Sequence, residues 1–177
     1  MMHIKNNKLR KKLSKIAIIN ITLGLIAGAM LLETKSELQA KNDEIIFISP
    51  SVIVNNALEN SLPQFAEVIY LDNNLDAIQQ ITQALANKKN LDAIRIISHG
   101  QPGQLLLSGN RITEQDLEIR QEEIRSWKNS LGKNADILLY GCNIAANVKG
   151  RALVNELAKL TDADVAASTN KTGGIEN

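Results

Sequence analysis

Apolar and polar positions along this chain alternate between short dense runs and stretches with a helical period. Residues 44–49, 67–72, 91–98, 135–140 and 164–168 are compact, largely aliphatic runs, which predict strands, the first ended by Pro50. Between them, Leu75, Ile78, Ile81, Thr82 and Leu85 recur at helical spacing and predict an amphipathic helix to about residue 87. Thr113, with Glu114 and Asp116 behind it, has the character of an N-cap. It opens a predicted helix through Leu117, Ile124 and Trp127 to about Ser130, with residues 131–134 as its exit. A last helix is predicted over residues 144–160, carrying Leu153, Val154, Leu157 and Leu160. Residues 52–60 read as a short helix or an irregular crossover, and 100–112 as a loop with a short hairpin.

Strands alternating with helices imply βαβ units. The expected fold class is therefore α/β, with a mostly parallel sheet, right-handed crossovers and helices on both faces. Only 3% of the residues are aromatic, so the core has to be aliphatic, as suits parallel strands covered on each side.

The first forty residues follow a different pattern. Six basic residues (Lys5, Lys8, Arg10, Lys11, Lys12, Lys15) precede an apolar run at 16–32, which is broken by Asn20, Thr22, Gly24 and Gly28. This is the pattern of an export signal with a small-residue end at Leu38-Gln39-Ala40. At 17 residues the run is at the short limit for a membrane span. Residues 1–40 are thus expected to be a cleaved signal peptide, with a retained signal anchor as the alternative, and residues 41–177 the folded domain. The expected location is the periplasm, cell surface or exterior, or the inner membrane if the anchor stays.

Setting the leader aside changes the charge. It holds seven of the 20 Lys and Arg but two of the 19 Asp and Glu, leaving 13 basic against 17 acidic residues, a net of about −4. No clustered basic face is left, which argues against a nucleic-acid partner. A single cysteine excludes an intramolecular disulfide.

That cysteine is the candidate for chemistry. Cys142 follows the run Ile137-Leu138-Leu139-Tyr140 and a glycine, and the helix expected to begin right behind it would favour a thiolate. The run at 91–98 ends on His99-Gly100, and His99 is the only histidine outside the extreme N-terminus. Were the two strands neighbours, about 5 Å apart, thiol and imidazole would share one rim as nucleophile and base for acyl transfer. The backbone N–H groups of Gly100 and Cys142 could then form an oxyanion hole. A lone cysteine in apolar surroundings is more often an inert packing residue, and the matched histidine is what tips the reading. The Gly-rich stretch after His99 lacks a Walker lysine and GxGxxG spacing, so no nucleotide, cofactor or metal is expected.

A strand ending in His-Gly, then a strand ending in Gly-Cys 43 residues after the histidine, resembles the caspase-like superfamily of cysteine peptidases. In more detail, residues 91–107, 135–146 and 164–168 resemble a bacterial module known as domain of unknown function (DUF) 4347, found near the start of large secreted, adhesin-like proteins. The resemblance implies a three-layer caspase-like sandwich and a secreted cysteine endopeptidase acting on a peptide or protein, itself included, with His99 and Cys142 catalytic. Its alternative is a non-catalytic module for surface attachment or secretion. Asp72 and Asp164, near strand ends, are candidates for a specificity pocket. Some relatives with basic specificity carry an acid two residues before the cysteine, where this chain has Tyr140. Such modules usually continue into a further segment and a repeat array, which implies a truncated or stand-alone copy here.

Overall fold

A computed structural model describes residues 2–4 and 43–171; apart from 2–4, the leader lies outside the described residues. In chain order the strands are Met2–Ile4 (β1), Glu44–Ile48 (β2), Glu67–Tyr70 (β3), Leu91–Ile97 (β4), His99–Gln101 (β5), Gln104–Leu107 (β6), Asn110–Ile112 (β7), Leu131–Tyr140 (β8) and Asp164–Ala167 (β9). The helices are Asn56–Ser61 (α1), Ala77–Leu85 (α2), Glu114–Ile119 (α3), Gln121–Ser126 (α4) and Asn147–Thr161 (α5), with a 3-10 turn at Trp127–Ser130.

The main sheet has the order β1-β9-β8-β4-β2-β3. Its last five members are mutually parallel, and β1 pairs antiparallel with β9. The α/β class with a mostly parallel sheet is therefore present. β5, β6 and β7 form a separate antiparallel meander, in which His99 lies opposite Leu106.

Strand order decides where the helices go. The connections β3 to β4, β4 to β8 and β8 to β9 all travel the same way across the sheet, so right-handed crossovers place all three on one face. Ile45, Phe47, Ile94, Ile96, Ile137, Leu139, Val165 and Ala167, alternate positions along their strands, share one core with Ile81, Leu117, Ile124, Trp127, Leu153 and Leu157 from those connections. Only β2 to β3 runs in the opposite direction, and its helix α1 buries no residue. Helices were expected on both faces; the described residues supply one helical layer. On the other face Ile46, Ile48 and Ala166 are buried, while Arg95 and Leu138 are half-buried and Tyr140 is exposed.

Three boundaries differ from expectation, each for a local reason. Residues 131–134, read as an exit loop, belong to β8: Leu131 pairs with Leu91, and the register then jumps so that Ala93 faces Asp136. The expected helix over 113–130 is divided at Arg120 (φ −99, ψ 21) into α3, α4 and the 3-10 turn. The third difference, at the start of α5, concerns the site and is described below. At the front of α3, Thr113 forms the capping box with Asp116, whose carboxylate accepts from the Thr113 N–H at 2.8 Å. Trp127 is buried and donates from Nε1 to Thr82 Oγ1 at 2.8 Å, pinning the 3-10 turn to α2.

Arg120 makes a fork to Asp76, both contacts at 3.1 Å, and also reaches Glu123 at 2.8 Å. Asp76 in turn caps α2 by accepting from Gln79 N at 2.7 Å. The Arg120 guanidinium holds the Asp76 and Glu123 carboxyls below their usual range, chiefly through these hydrogen bonds. A carboxyl whose folded-state pKa is depressed adds stability above its unfolded value, and that contribution is lost as pH falls through the folded one. Arg120→Gln is accordingly expected to lower stability at neutral pH, with the gap from wild type closing below about pH 4. Urea unfolding at several pH values checks this; a gap independent of pH would contradict it.

Candidate active site

β4 and β8 are adjacent and parallel, in register from Ala93–Asp136 to Ile97–Tyr140. Beyond the last pair, Ser98 N donates to Tyr140 O at 2.9 Å. His99 and Cys142 each lie two residues past that pair, at the carboxyl ends of neighbouring strands. Two glycines let the segments touch. A Cβ on Gly100 would lie 2.8 Å from the Cys142 carbonyl oxygen and 2.4 Å from Ile144 Cγ1. One on Gly141 would meet Ser98 O at 2.9 Å and Ile144 Cδ1 at 2.7 Å. Real Cβ atoms do not come so close, so the main chains of His99-Gly100 and Gly141-Cys142 pack against each other only because both positions are glycine. Ile144, fully buried, is the plug between them.

His99 is exposed, and its Nε2 is 3.1 Å from the Ser51 carbonyl oxygen. A carbonyl only accepts, so Nε2 carries the proton in this contact, and in the neutral ring Nδ1 is the basic nitrogen. Ser51 follows β2, whose exit is tied to the same rim: Ser49 N donates to Ile97 O at 2.8 Å. The Ser51 main chain thus fixes the tautomer, a role the sequence reading missed. The available signal was positional, since Pro50-Ser51 closes a strand running parallel to that of His99.

Cys142 is half-buried in a turn covering residues 141–146. Asn143 N donates to Asn170 O, and Ala145 N to Ser168 O, each at 2.9 Å, so the turn is laced to the segment that leaves β9. The helix expected to start immediately behind the cysteine starts at Asn147 instead. Asn143 (φ 57) and Asn147 (φ 59) are both left-handed and interrupt it. The first-turn N–H groups of Lys149 and Gly150 are accepted by Asn147 Oδ1 at 2.9 and 3.2 Å. That N-terminus is therefore capped by its own chain and is not presented to Cys142.

The two candidate pocket acids are not brought to the pair. Asp164 opens β9 opposite Asp136, at the amino end of the sheet, the rim away from Cys142. Asp72 is on the carboxyl side, but behind β3, three strands from β8 and so about 14 Å across the sheet. Its carboxylate accepts from Asn74 N at 2.8 Å in a local turn. Among the described residues, no three His, Cys, Asp or Glu side chains are grouped to hold a metal ion, and no helix is long and apolar enough to cross a membrane. A cleft of about 310 Å³ beside Asp76, Arg111 and Arg120 lies among α2, β7 and α3, and neither His99 nor Cys142 lines it.

The protein is thus defined by an open, mostly parallel sheet whose carboxyl rim carries a histidine and a cysteine just past the ends of adjacent strands, at the position where such sheets bind ligands. Residues 45–177 match the family model described as Domain of unknown function (DUF4347), and the chain belongs to that family. No curated protein and no solved structure matches it.

Proposed function

We propose that this chain is a caspase-like cysteine peptidase or self-processing module. The observation that carries the reading is the β4–β8 pairing, which puts His99 and Cys142 at equivalent positions on one rim, with their main chains in contact through Gly100 and Gly141. Parallel strands presenting His and then Cys in that chain order also support a caspase-like arrangement of the sandwich.

In the reaction, the Cys142 thiol gives its proton to His99 Nδ1, and the sulfur attacks the carbonyl carbon of a peptide bond. The oxyanion is received by backbone N–H groups at Gly100 and Cys142. His99 then passes the proton to the departing amine as the C–N bond breaks. Water, deprotonated by His99, attacks the thioester and regenerates the thiol. The Ser51 carbonyl keeps Nε2 protonated throughout, leaving Nδ1 to shuttle the proton. Alkylation of Cys142 that depends on His99, together with loss of cleavage in Cys142→Ser, tests this. Alkylation that ignores His99 would favour the non-catalytic surface or secretion module instead.

The basic leader and apolar run support export to the periplasm, surface or exterior, with the leader removed. The N-terminal mass of the protein from its host is expected to begin beyond residue 40. A chain that still begins at Met1 or Met2 in a membrane fraction would instead mean a retained anchor.

A further inference from the structure

The meander β5-β6-β7 has two faces, and its register decides which side chains share each. Residues directly opposite on antiparallel strands project to the same side, about 5 Å apart. Gly100, Leu105 and Ile112 are opposite one another, and Leu105 and Ile112 belong to the buried core. His99, Leu106 and Arg111 are likewise opposite one another, so they form a row on the outer face. Exposure agrees: His99 and Arg111 are exposed and Leu106 is half-buried. Two strand spacings, about 10 Å, separate the ends of the row.

The row also has a direction. Ser49, just past β2, donates from Oγ to Leu106 O at 3.4 Å, which ties β6 to the end of β2. In the main sheet β2 borders β4 on the side away from β8. The row therefore leads away from β8, the strand that precedes Cys142, with the histidine at its near end and Arg111 at its far end.

Arg111 differs from its charged neighbours in having no counter-ion. It lines the cleft of about 310 Å³ between α2, β7 and α3. There Asp76 is paired with Arg120, and the Asp116 carboxylate accepts from Thr113 N and Oγ1 at 2.8 and 2.6 Å. Among the described residues no carboxylate pairs with Arg111. A guanidinium carries five N–H donors in a planar fork that matches a carboxylate. In the proposed reaction the amine departs beside His99, so the residues that follow the scissile bond are the ones that meet this row. An extended chain advances about 3.3 Å per residue, which brings roughly the second or third of them within reach of Arg111.

We propose that Arg111 selects the substrate on the leaving-group side, favouring Asp or Glu at the second or third position after the cleaved bond, with Leu106 as the apolar contact between. This assignment deepens the peptidase reading and rests on it.

The test exposes a randomised library of linear peptides to the full-length chain and reads the new N-termini by mass spectrometry. Every cut that is lost in Cys142→Ser is scored, in the library or in the chain itself. At the second and third positions after the cut, Asp and Glu are expected to outnumber Lys and Arg about fivefold, the upper range for an exposed ion pair. Arg111→Gln should bring that ratio close to one, and Arg111→Glu should invert it. Because the ratio is taken within one protein, a loss of folded material cancels. Cys142-dependent cuts without acidic enrichment, or with the same enrichment in Arg111→Gln, overturn the specificity while leaving the peptidase reading intact. Absence of any Cys142-dependent cut removes that reading, and this assignment with it.

Discussion

Alkylation of Cys142 at pH 6 is expected to be fast in the wild-type chain and to fall on the order of a hundredfold in His99→Ala, in the range of a positioned acid–base partner. The reacting species is the thiolate, and in the proposed reaction His99 is the group that makes it. The helix behind the cysteine starts five residues downstream, and its first-turn N–H groups are bonded to Asn147. On that reading, loss of the imidazole is expected to remove the activation. Cys142→Ser should end peptidase or self-cleavage activity outright, while urea unfolding stays close to wild type. The exchange swaps one atom at a half-buried site, and the chain has no second cysteine with which a disulfide could be lost. Equal alkylation rates with and without His99, measured by intact-protein mass, would remove the pair from consideration.

A comparable loss, in stability rather than activity, is expected from Gly150→Ala. In an ordinary helix interior this change gains up to about 1 kcal/mol. Here the sign reverses. A Cβ at 150 would be 2.4 Å from Ile144 O, 2.5 Å from Ala145 C and 2.8 Å from Ala145 Cα. All three are main-chain atoms of the turn that carries Cys142, so no side chain can rotate away. Overpacking of this kind costs on the order of 3 kcal/mol, outweighing the propensity gain. Urea denaturation should show the drop, and Cys142 alkylation should slow with it, since the turn has to shift. A variant as stable as wild type would mean that the turn does not rest on α5 in this way.

How much of this could be read from residues alone depended on whether the signal was local. The strands of the parallel sheet were legible because their apolar runs are dense. Position at the strand ends was enough to pick out His99 and Cys142 together. The start of α5 was misjudged because Ile144 fits the helical period, yet it is buried as a plug against Gly100 and Gly141, and Asn147 begins the helix from a left-handed conformation. The break at Arg120 has no Gly or Pro to announce it; it coincides with a fork to Asp76, 44 residues away in sequence. Gly132 and Asn134 are turn formers, but pairing of Leu131 with Leu91 draws residues 131–134 into β8. Asp164 was misplaced for a reason the sequence did contain: in a parallel sheet, a residue that opens one strand lies at the opposite rim from a residue that closes another. Tyr140 had been noted only for the acid it replaces. Its bond to Arg95, and that of Arg95 to Glu44, join three strands and have no trace in any one of them.

The lacing of residues 143 and 145 to 170 and 168 gives this domain a mechanical property. Two main-chain hydrogen bonds fasten the polypeptide leaving β9 to the turn that carries Cys142. Tension on the chain beyond that point would load those two bonds before it reached the sheet, and their rupture would release the loop from one of its supports. Cys142 thus sits in a turn on the path along which a pull on the chain after residue 170 would enter the domain.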